Sequence, residues 1–224
     1  MDKYFITATG TEIGKTFVTT TLCKQLIEDG KKVVALKPVI SGYIAGDMKS
    51  DSAFILQACG QKVTEENIAK ISPWRFAAPL SPNMAAQREG NNISFGELIN
   101  FCREQEKSDA DILLVEGVGG VCVPLNDKYT VLDWIAELKD WKVILVAGSY
   151  LGSISHTLTA VHTLAARNIG LHAVVITESE NSTVPLEETV ETLKNFLDKS
   201  VIIFKIPRQQ KKNLELIKDI KRIL

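Results

Sequence analysis

The chain has 224 residues, of which 45% are hydrophobic and 24% are charged, and its formal net charge at pH 7 is −1. This composition excludes a disordered chain, and the near-neutral charge gives no electrostatic support for nucleic-acid binding. The apolar runs are too short to span a membrane, and no signal peptide is visible after Asp2 and Lys3. We therefore expect a cytoplasmic protein that binds neither nucleic acid nor membranes.

Strand-like and helix-like segments alternate from the first residues onward. Tyr4 to Ala8 is predicted to form a strand, and the spacing of apolar residues predicts a helix over Thr16 to Asp29. The continuous apolar run from Val33 to Val39 predicts a strand that is covered on both faces. Asp51 to Cys59 is predicted to be a short helix, opened by Ser50 or by Asp51 itself.

Residues 61 to 95 contain three prolines, and we interpret them as an irregular excursion with a helical turn at Ala85 to Arg88. The alternation then resumes. Further helices are predicted at Phe95 to Lys107, Val131 to Leu138, Ser153 to Asn168, Leu186 to Leu197 and Leu214 to Ile223. Further strands are predicted at Asp111 to Glu116, Lys142 to Gly148, Leu171 to Thr177 and Val201 to Phe204. The pattern predicts one α/β domain over residues 1–224, with a parallel sheet, helices on both faces, and ligands at the carboxyl ends of the strands.

A phosphate-binding loop is the strongest local signal. The segment ATGTEIGKT, from Ala8 to Thr16, follows a predicted strand and opens a predicted helix, where backbone N–H groups attract anionic oxygens. Lys15 would reach the β- and γ-phosphates of a nucleotide, and the Thr16 hydroxyl would bind Mg²⁺. Thr9 replaces the first glycine of the GxxxxGK[ST] pattern, and the alternative is a Gly-Lys-Thr that simply begins a helix. The context favours a P-loop NTPase-like, Rossmann-like three-layer fold.

Two acidic residues are candidates for a metal site. Glu116 ends a predicted strand and begins the segment EGVGG, which is where a Walker-B-type acid holds Mg²⁺ directly or through water. Asp51 opens a predicted helix, so it is either an N-cap residue or a second acid of the metal site. The two roles are compatible with each other.

Lys37 lies at the end of the predicted second strand and is followed by Pro38. Its side chain would project toward the same edge of the sheet as Lys15. Two ammonium groups in one site suit a reaction that builds up oxyanion charge, such as phosphoryl transfer. The alternative is a lysine whose stem covers the strand end while its amine reaches water. Spacing alone does not decide between these two interpretations.

The motifs together resemble the dethiobiotin synthetase family of the biotin pathway. The resemblance rests on TEIGKT, KPVISG, a Pro-Leu-Ser-Pro segment, EGxGGxxxPL and the segment from Leu151 to His156, in the family's order and spacing. It implies an ATP-dependent carbon–nitrogen cyclo-ligase that works as a homodimer. Such an enzyme uses ATP, Mg²⁺ and CO₂ to close a ureido ring on 7,8-diaminononanoate.

The resemblance also implies roles for individual residues. Lys37 would be the catalytic lysine, and Thr11 and Lys15 would contact the carbamate and the phosphoryl group. Thr16, Asp51 and Glu116 would hold Mg²⁺. The residues implied in ATP binding are Glu12, Ile13, Gly14, Lys15, Thr16, Phe17, Asp51, Glu116, Gly117, Val118, Gly119, Thr177, Pro207, Arg208 and Gln209. The residues implied in substrate binding are Ser41 and, across the dimer interface, Gly152, Ser153, Ile154 and Ser155.

Five positions depart from the family's pattern, namely Ala8, Gly10, Asn83, Ser155 and Thr177. Thr177 stands where the family has an asparagine that reads adenine. A hydroxyl makes only one of the two contacts of a carboxamide, so the sequence predicts a relaxed choice of base.

Other functions of this fold fit the sequence less well. A partition-type switch ATPase, acting through a protein partner, has an extra lysine early in its loop, and Ala8 to Gly10 contain none. A GTPase should have an Asn-Lys-x-Asp motif, and a small-molecule kinase an arginine-rich lid; the sequence has neither. A non-catalytic nucleotide-binding module would not explain Lys37.

Overall fold

Strands and helices alternate along the computed structural model, which describes residues 1–180, 182–208, 217 and 219–224. The strands are β1 (Asp2–Ala8), β2 (Val33–Leu36), β3 (Val39–Ser41), β4 (Trp74–Phe76), β5 (Ile112–Glu116), β6 (Lys142–Gly148), β7 (Leu171–Thr177) and β8 (Ile202–Ile206). The helices are α1 (Lys15–Glu28), α2 (Asp51–Ala58), α3 (Glu65–Ile71), α4 (Pro82–Arg88), α5 (Phe95–Gln105), α6 (Val131–Glu137), α7 (Ser153–Ala166) and α8 (Leu186–Lys194), followed by a 3₁₀ helix at Ile220–Ile223.

The main sheet has six strands in the order β2-β5-β1-β6-β7-β8, and every neighbouring pair is parallel. Ile6 pairs with Glu116, and Thr177 pairs with both Gly148 and Ile206, so the strands end along one edge. All five residues of β5 are buried, as expected for a central strand covered by helices on both faces. The predicted three-layer α/β fold is confirmed.

The prediction of one strand from Val33 to Val39 is wrong. The chain leaves the main sheet after β2, and β3 pairs in parallel with β4 in a separate two-stranded sheet. Pro38 has no N–H to continue the first ladder, and the neighbouring backbone bonds elsewhere. The Lys37 N–H donates to the Ile71 carbonyl at 3.1 Å, and the Trp74 N–H donates to the Pro38 carbonyl at 3.1 Å. Lys37 therefore lies at a corner between the two sheets.

The interpretation of residues 61–95 as irregular is also wrong in part. They contain α3 and β4, and α4 is longer than the predicted turn at Ala85 to Arg88. The strands β6 and β7 begin and end where the sequence predicts. Four of the ten residues of the predicted helix from Leu214 to Ile223 lie outside the described residues, as does Gln209, and the end of that prediction is the 3₁₀ helix. None of the described helices has the length and apolar character that a membrane crossing requires.

Candidate active site

The loop from Thr9 to Gly14 joins the end of β1 to the start of α1. Gly14 has a φ of 108°, a left-handed conformation that glycine adopts without steric cost. A Cβ atom at Gly14 would also lie 3.3 Å from the Cγ2 atom of Thr177. Because only glycine suits this turn, α1 can begin at Lys15 with its N-terminal amides at the carboxyl edge of the sheet.

A cavity of about 690 Å³ opens at this edge of the sheet. The predicted site residues that line it are Thr11, Glu12, Gly14, Lys15, Thr16, Phe17, Lys37, Ser41, Asp51, Val118 and Gly119. Its other lining residues are Ile40, Gly42, Pro79, Leu80, Ser81, Pro82 and Val123. The structure thus brings together residues from the phosphate loop, the ends of β2 and β3, the start of α2 and the loop after β5.

Three side-chain oxygens of the predicted metal site converge at this cavity. Thr16 Oγ1 lies 2.7 Å from Asp51 Oδ1 and 2.8 Å from Glu116 Oε1. Glu116 is fully buried, and its Oε2 atom has no hydrogen-bond partner among the described residues. Oxygen ligands of this kind, with one carboxylate oxygen unsatisfied, fit Mg²⁺. Within the described ranges no group of three His, Cys, Asp or Glu side chains is placed to hold a metal ion.

The Lys37 ammonium is buried beside the same carboxylates. Its Nζ atom donates to Glu116 Oε1 at 2.6 Å and to the Gly117 carbonyl at 2.9 Å, and lies 3.3 Å from Asp51 Oδ2. Burial disfavours the ammonium, but the charges of Glu116 and Asp51 outweigh this effect and raise the pKa of Lys37. The side chain is only 3% exposed. The alternative of an amine that reaches water is therefore wrong.

The second lysine of the cavity, Lys15, has no carboxylate hydrogen-bonded to it within the part of the chain that the structure describes. Its Nζ atom donates to the Gly119 carbonyl at 2.7 Å and to the Gly10 carbonyl at 3.0 Å. Burial and the nearby charge of Lys37 lower the pKa of Lys15 to about 8. A phosphate oxygen at this position would favour the charged form of Lys15.

At the start of α2, one residue caps the helix and the next one faces the predicted metal site. Ser50 is the N-cap residue, and its Oγ atom accepts a hydrogen bond from the Ala53 N–H at 3.2 Å. The interpretation of Asp51 as the N-cap is therefore wrong. Burial raises the pKa of Asp51, but Lys37 and the Thr16 hydroxyl outweigh this and keep it below the ordinary value. The Asp51 carboxylate is thus ionised and directed at Thr16.

The glycine-rich segment after β5 is pressed against the phosphate loop. The Val121 N–H donates to the Ala8 carbonyl at 3.1 Å. A Cβ atom at Gly120 would lie 3.2 Å from the Thr9 carbonyl oxygen. Glycine suits this position because a side chain would be in tight contact with the backbone of the phosphate loop.

A second cavity, of about 430 Å³, lies at the ends of β7 and β8. It is lined by Glu12, Ile13, Tyr150, Thr177, Glu178, Ser179, Glu180 and Arg208. Glu12 lines both cavities, so a nucleotide with its phosphates in the larger one has space for its base here. The Arg208 N–H donates to Glu178 Oε2 at 2.6 Å, and its guanidinium pairs with Glu180. Pro207 does not line this cavity.

The segment predicted to hold the substrate carboxylate does not line these cavities, although Tyr150 just before it lines the second one. Gly152 is the N-cap of α7 with a φ of 95°, and Leu151 before it is 81% exposed. The Ser153 Oγ atom is buried and has no partner among the described residues. Neither cavity is lined by Gly152, Ser153, Ile154 or Ser155. A single chain therefore assembles the phosphate side of the predicted site without this segment.

The wall formed by Pro79 to Pro82 was not predicted. It faces the cavity because the chain after β4 runs beside the chain after β3, where the Gly42 N–H donates to the Ala78 carbonyl at 3.1 Å. The Pro-Leu-Ser-Pro motif was a signal for these residues, but no role followed from it. Ser41, which was predicted, has a buried Oγ atom with no partner among the described residues.

Comparison with known sequences identifies relatives over most of the chain. Residues 2–213 match a protein family described as an AAA domain. The ATP-dependent dethiobiotin synthetase BioD of Acidiphilium cryptum is 49% identical over 199 residues, which cover 88% of this chain and 89% of that protein. The protein of the same name from Methylobacterium nodulans is 42% identical over 201 residues, which cover 86% and 88%.

Comparison with solved structures identifies the same fold in a more distant protein. The MinD cell division protein of Aquifex aeolicus matches with a TM-score of 0.56 and 18% identity. The match covers 96% of this chain and 86% of that chain. At this level of identity the likeness shows a shared fold and nothing more.

Proposed function

Since the chain belongs to the ATP-dependent dethiobiotin synthetase family, we propose that it closes the ureido ring of dethiobiotin on 7,8-diaminononanoate in biotin biosynthesis. It is a ligase that forms carbon–nitrogen bonds with ATP as co-substrate. One observation carries the proposal at the level of the site. Lys37, with its buried ammonium beside Glu116 and Asp51, lies in the same cavity as the phosphate loop.

The proposed reaction has three steps. One amine of the diamine attacks CO₂ and gives a carbamate with loss of a proton. A carbamate oxygen then takes the γ-phosphoryl group of ATP, which leaves ADP and a carbamic–phosphoric anhydride. The second amine attacks the carbonyl carbon, phosphate leaves, and the ring closes. No step requires a covalent bond to the enzyme, so the protein contributes positioning and charge neutralisation.

The two lysines offset the negative charge that these steps bring together. The carbamate and the triphosphate are both anionic, and they repel each other in the cavity. Lys37 remains protonated because its carboxylate neighbours raise its pKa, so it acts as a charged hydrogen-bond donor. We assign Lys37 to the carbamate and the transferring phosphoryl group. Lys15 and Thr11, which line the same cavity, serve the phosphates and the carbamate.

Magnesium would be held by Thr16, Asp51 and Glu116. The unsatisfied Glu116 Oε2 atom and the short distances among the three side chains support this assignment. When bound, Mg²⁺ would neutralise charge on the β- and γ-phosphate oxygens. The protein's own part is to hold two carboxylate side chains and one hydroxyl together at the start of α1.

We further propose a two-fold dimer in which the start of α7 from a partner subunit faces the larger cavity. A nine-carbon substrate has its carboxylate far from its two amines, and the free amides of a helix N-terminus bind carboxylates. Apolar side chains are exposed near the cavity-lining segments, with Ile44 at 68% and Met84 at 47% exposure. A dimer would cover such side chains, and would also cover Leu151.

We expect the enzyme to act in the cytoplasm, where ATP is supplied.

The proposed function is tested by product formation. ADP and dethiobiotin are measured after mixing the protein with ATP, Mg²⁺, bicarbonate and 7,8-diaminononanoate, with each component omitted in turn. We expect both products to require every component. ADP release that does not depend on the diamine or on bicarbonate would overturn the proposal. It would favour a switch ATPase, a function that the shared fold alone does not support.

A further inference from the structure

Thr177 contacts the phosphate loop instead of pointing its hydroxyl into the second cavity. It is the last residue of β7, and its Oγ1 atom donates to the Ile13 carbonyl at 2.6 Å. Its methyl group packs beside Gly14, where a Cβ atom would approach to 3.3 Å. Ile13 and Gly14 are the last two residues before α1. The end of β7, 164 positions from Ile13, is thus hydrogen-bonded to the phosphate loop directly before α1.

This hydrogen bond uses the single proton of the hydroxyl. The distance of 2.6 Å is within the normal range for O–H···O bonds, whereas the next acceptor, the Ala147 carbonyl, is 3.4 Å away. Thr177 is also only 1% exposed. It therefore has no proton to donate to a base in the second cavity.

The hydrogen bond from Thr177 to the Ile13 carbonyl also sets the direction of the Gly14 N–H group. In a planar trans peptide the C=O of Ile13 and the N–H of Gly14 point in opposite directions. Because Thr177 fixes the carbonyl, the Gly14 N–H is directed away from Thr177. Gly14 lines the larger cavity and Ile13 lines the second one, so this peptide unit divides the phosphate side from the base side.

The strand end that carries Thr177 is itself fixed to its neighbour. The Ser149 N–H donates to Ser179 Oγ at 3.0 Å, and the Ser179 N–H donates to Ser149 Oγ at 3.2 Å. This reciprocal pair joins the chain after β6 to the chain after β7. A rigid strand end can hold a loop in place, whereas a mobile one cannot.

We propose that Thr177 is a positioning residue that fixes the phosphate loop for the phosphates of any nucleotide and does not discriminate between bases. The proposal rests on the proposed function for its substrate, but it concerns nucleotide binding and is testable without turnover. Removing the hydroxyl should weaken the binding of all nucleotides by a similar factor. A residue that reads the base would instead change their ratio.

The test compares Thr177→Val, which keeps the shape and lacks the hydroxyl, with Thr177→Ser, which keeps the hydroxyl. Calorimetry measures the Kd of ADP, GDP and CDP with Mg²⁺, and steady-state assays measure KM and kcat for ATP. We expect the valine variant to bind all three nucleotides roughly 3- to 10-fold more weakly, since one hydrogen bond is lost. The ratios among the nucleotides should stay within about twofold of those of the unmodified protein. The serine variant should bind as the unmodified protein does.

Three results would overturn the proposal. One is a change in the ratio of ADP to GDP affinity of more than about tenfold, which would mean that Thr177 reads the base. Another is unchanged binding of all three nucleotides by the valine variant. The third is a uniform loss that serine fails to restore. Thr177→Ala lacks the same hydroxyl and needs less room, so it gives the same comparison if the valine variant does not fold.

Discussion

The phosphate side of the proposed site and the start of α7 are built in different ways. On the phosphate side, Lys37 is 2% exposed, Glu116 is 0% exposed, and the two form an ion pair within the same chain. At the start of α7, Leu151 is 81% exposed, and the first residues of the helix line neither cavity. The difference fits the proposed dimer, in which one chain would hold the phosphate-transfer groups, because buried charges need partners, and a second surface would bind the substrate carboxylate.

Replacing Lys37 should have the largest effect. We expect Lys37→Ala to lower kcat by ~10²–10³ while KM for ATP changes much less, because the ammonium would act on charge that develops during phosphoryl transfer. Steady-state kinetics measures both constants. Lys142→Ala is the matched control, because Lys142 is a partly exposed lysine on β6 that pairs with Asp2. Near-normal turnover of Lys37→Ala would reduce this residue to a structural ion pair.

Removing one charge from the metal site should have the next largest effect. Glu116→Gln keeps the shape of the side chain, and we expect the Mg²⁺ concentration for half activity to rise by about 10- to 100-fold. The measurement is a Mg²⁺ titration of activity at saturating ATP. Glu106→Gln serves as the control, since Glu106 pairs with Lys3 and Arg103 outside the metal site. An unchanged Mg²⁺ requirement would remove Glu116 from the set of metal ligands.

A charge at Leu151 tests the other side of the comparison. We expect Leu151→Asp to weaken the dimer about tenfold or more, which corresponds to ~1.4 kcal/mol, and to raise KM for the diamine. Sedimentation velocity measures assembly, and nucleotide binding should remain intact. Phe196→Asp places the same charge on another exposed apolar residue, after α8, and should change neither quantity. An unmodified protein that is fully active as a monomer would contradict the proposed dimer.

The smallest effect is expected from removing the N-cap of α2, a change that tests whether helix capping and metal binding are separate functions there. Ser50→Ala removes the N-cap and should lower the free energy of unfolding by about 1 kcal/mol, with little change in the Mg²⁺ requirement. Thr64→Ala, which removes the cap of α3, should have a similar effect on stability. Denaturant unfolding measures both variants. A rise in Mg²⁺ requirement for Ser50→Ala as large as that for Asp51→Asn would show that the two functions are not separate.

Local patterns were sufficient to predict the elements of the main sheet. β6 and β7 are seven-residue segments with apolar centres, followed by Ser149 and Glu178, and their bounds were predicted correctly. The pairing of β3 with β4 was not predictable, since it joins Val39–Ser41 to Trp74–Phe76 across the intervening helices. The break at Pro38 had a local cause, but the direction of the chain after it depends on this distant pairing.

The site was predictable to the extent that it lies at strand ends. Lys15, Thr16, Lys37 and Glu116 follow from the strands that precede them, because parallel strands end at one edge of the sheet. The sequence left two functions open for Asp51, and only the contact between Ser50 and Ala53 separates them. The hydrogen bond of the Thr177 hydroxyl depends in the same way on the phosphate loop, which is far away in sequence. Contacts of this kind leave no signal in a single sequence.

The close approach of the loop after β5 to the phosphate loop has a consequence for protein engineering. Lys15 and Gly119 are hydrogen-bonded although they lie 104 positions apart, and a side chain at Gly120 would be in tight contact with the Thr9 backbone. The two loops therefore form one exchangeable module. A chimera that takes the phosphate loop from a relative should take the loop after β5 from the same parent, because a graft of either one alone would have to match a backbone surface shaped by the other.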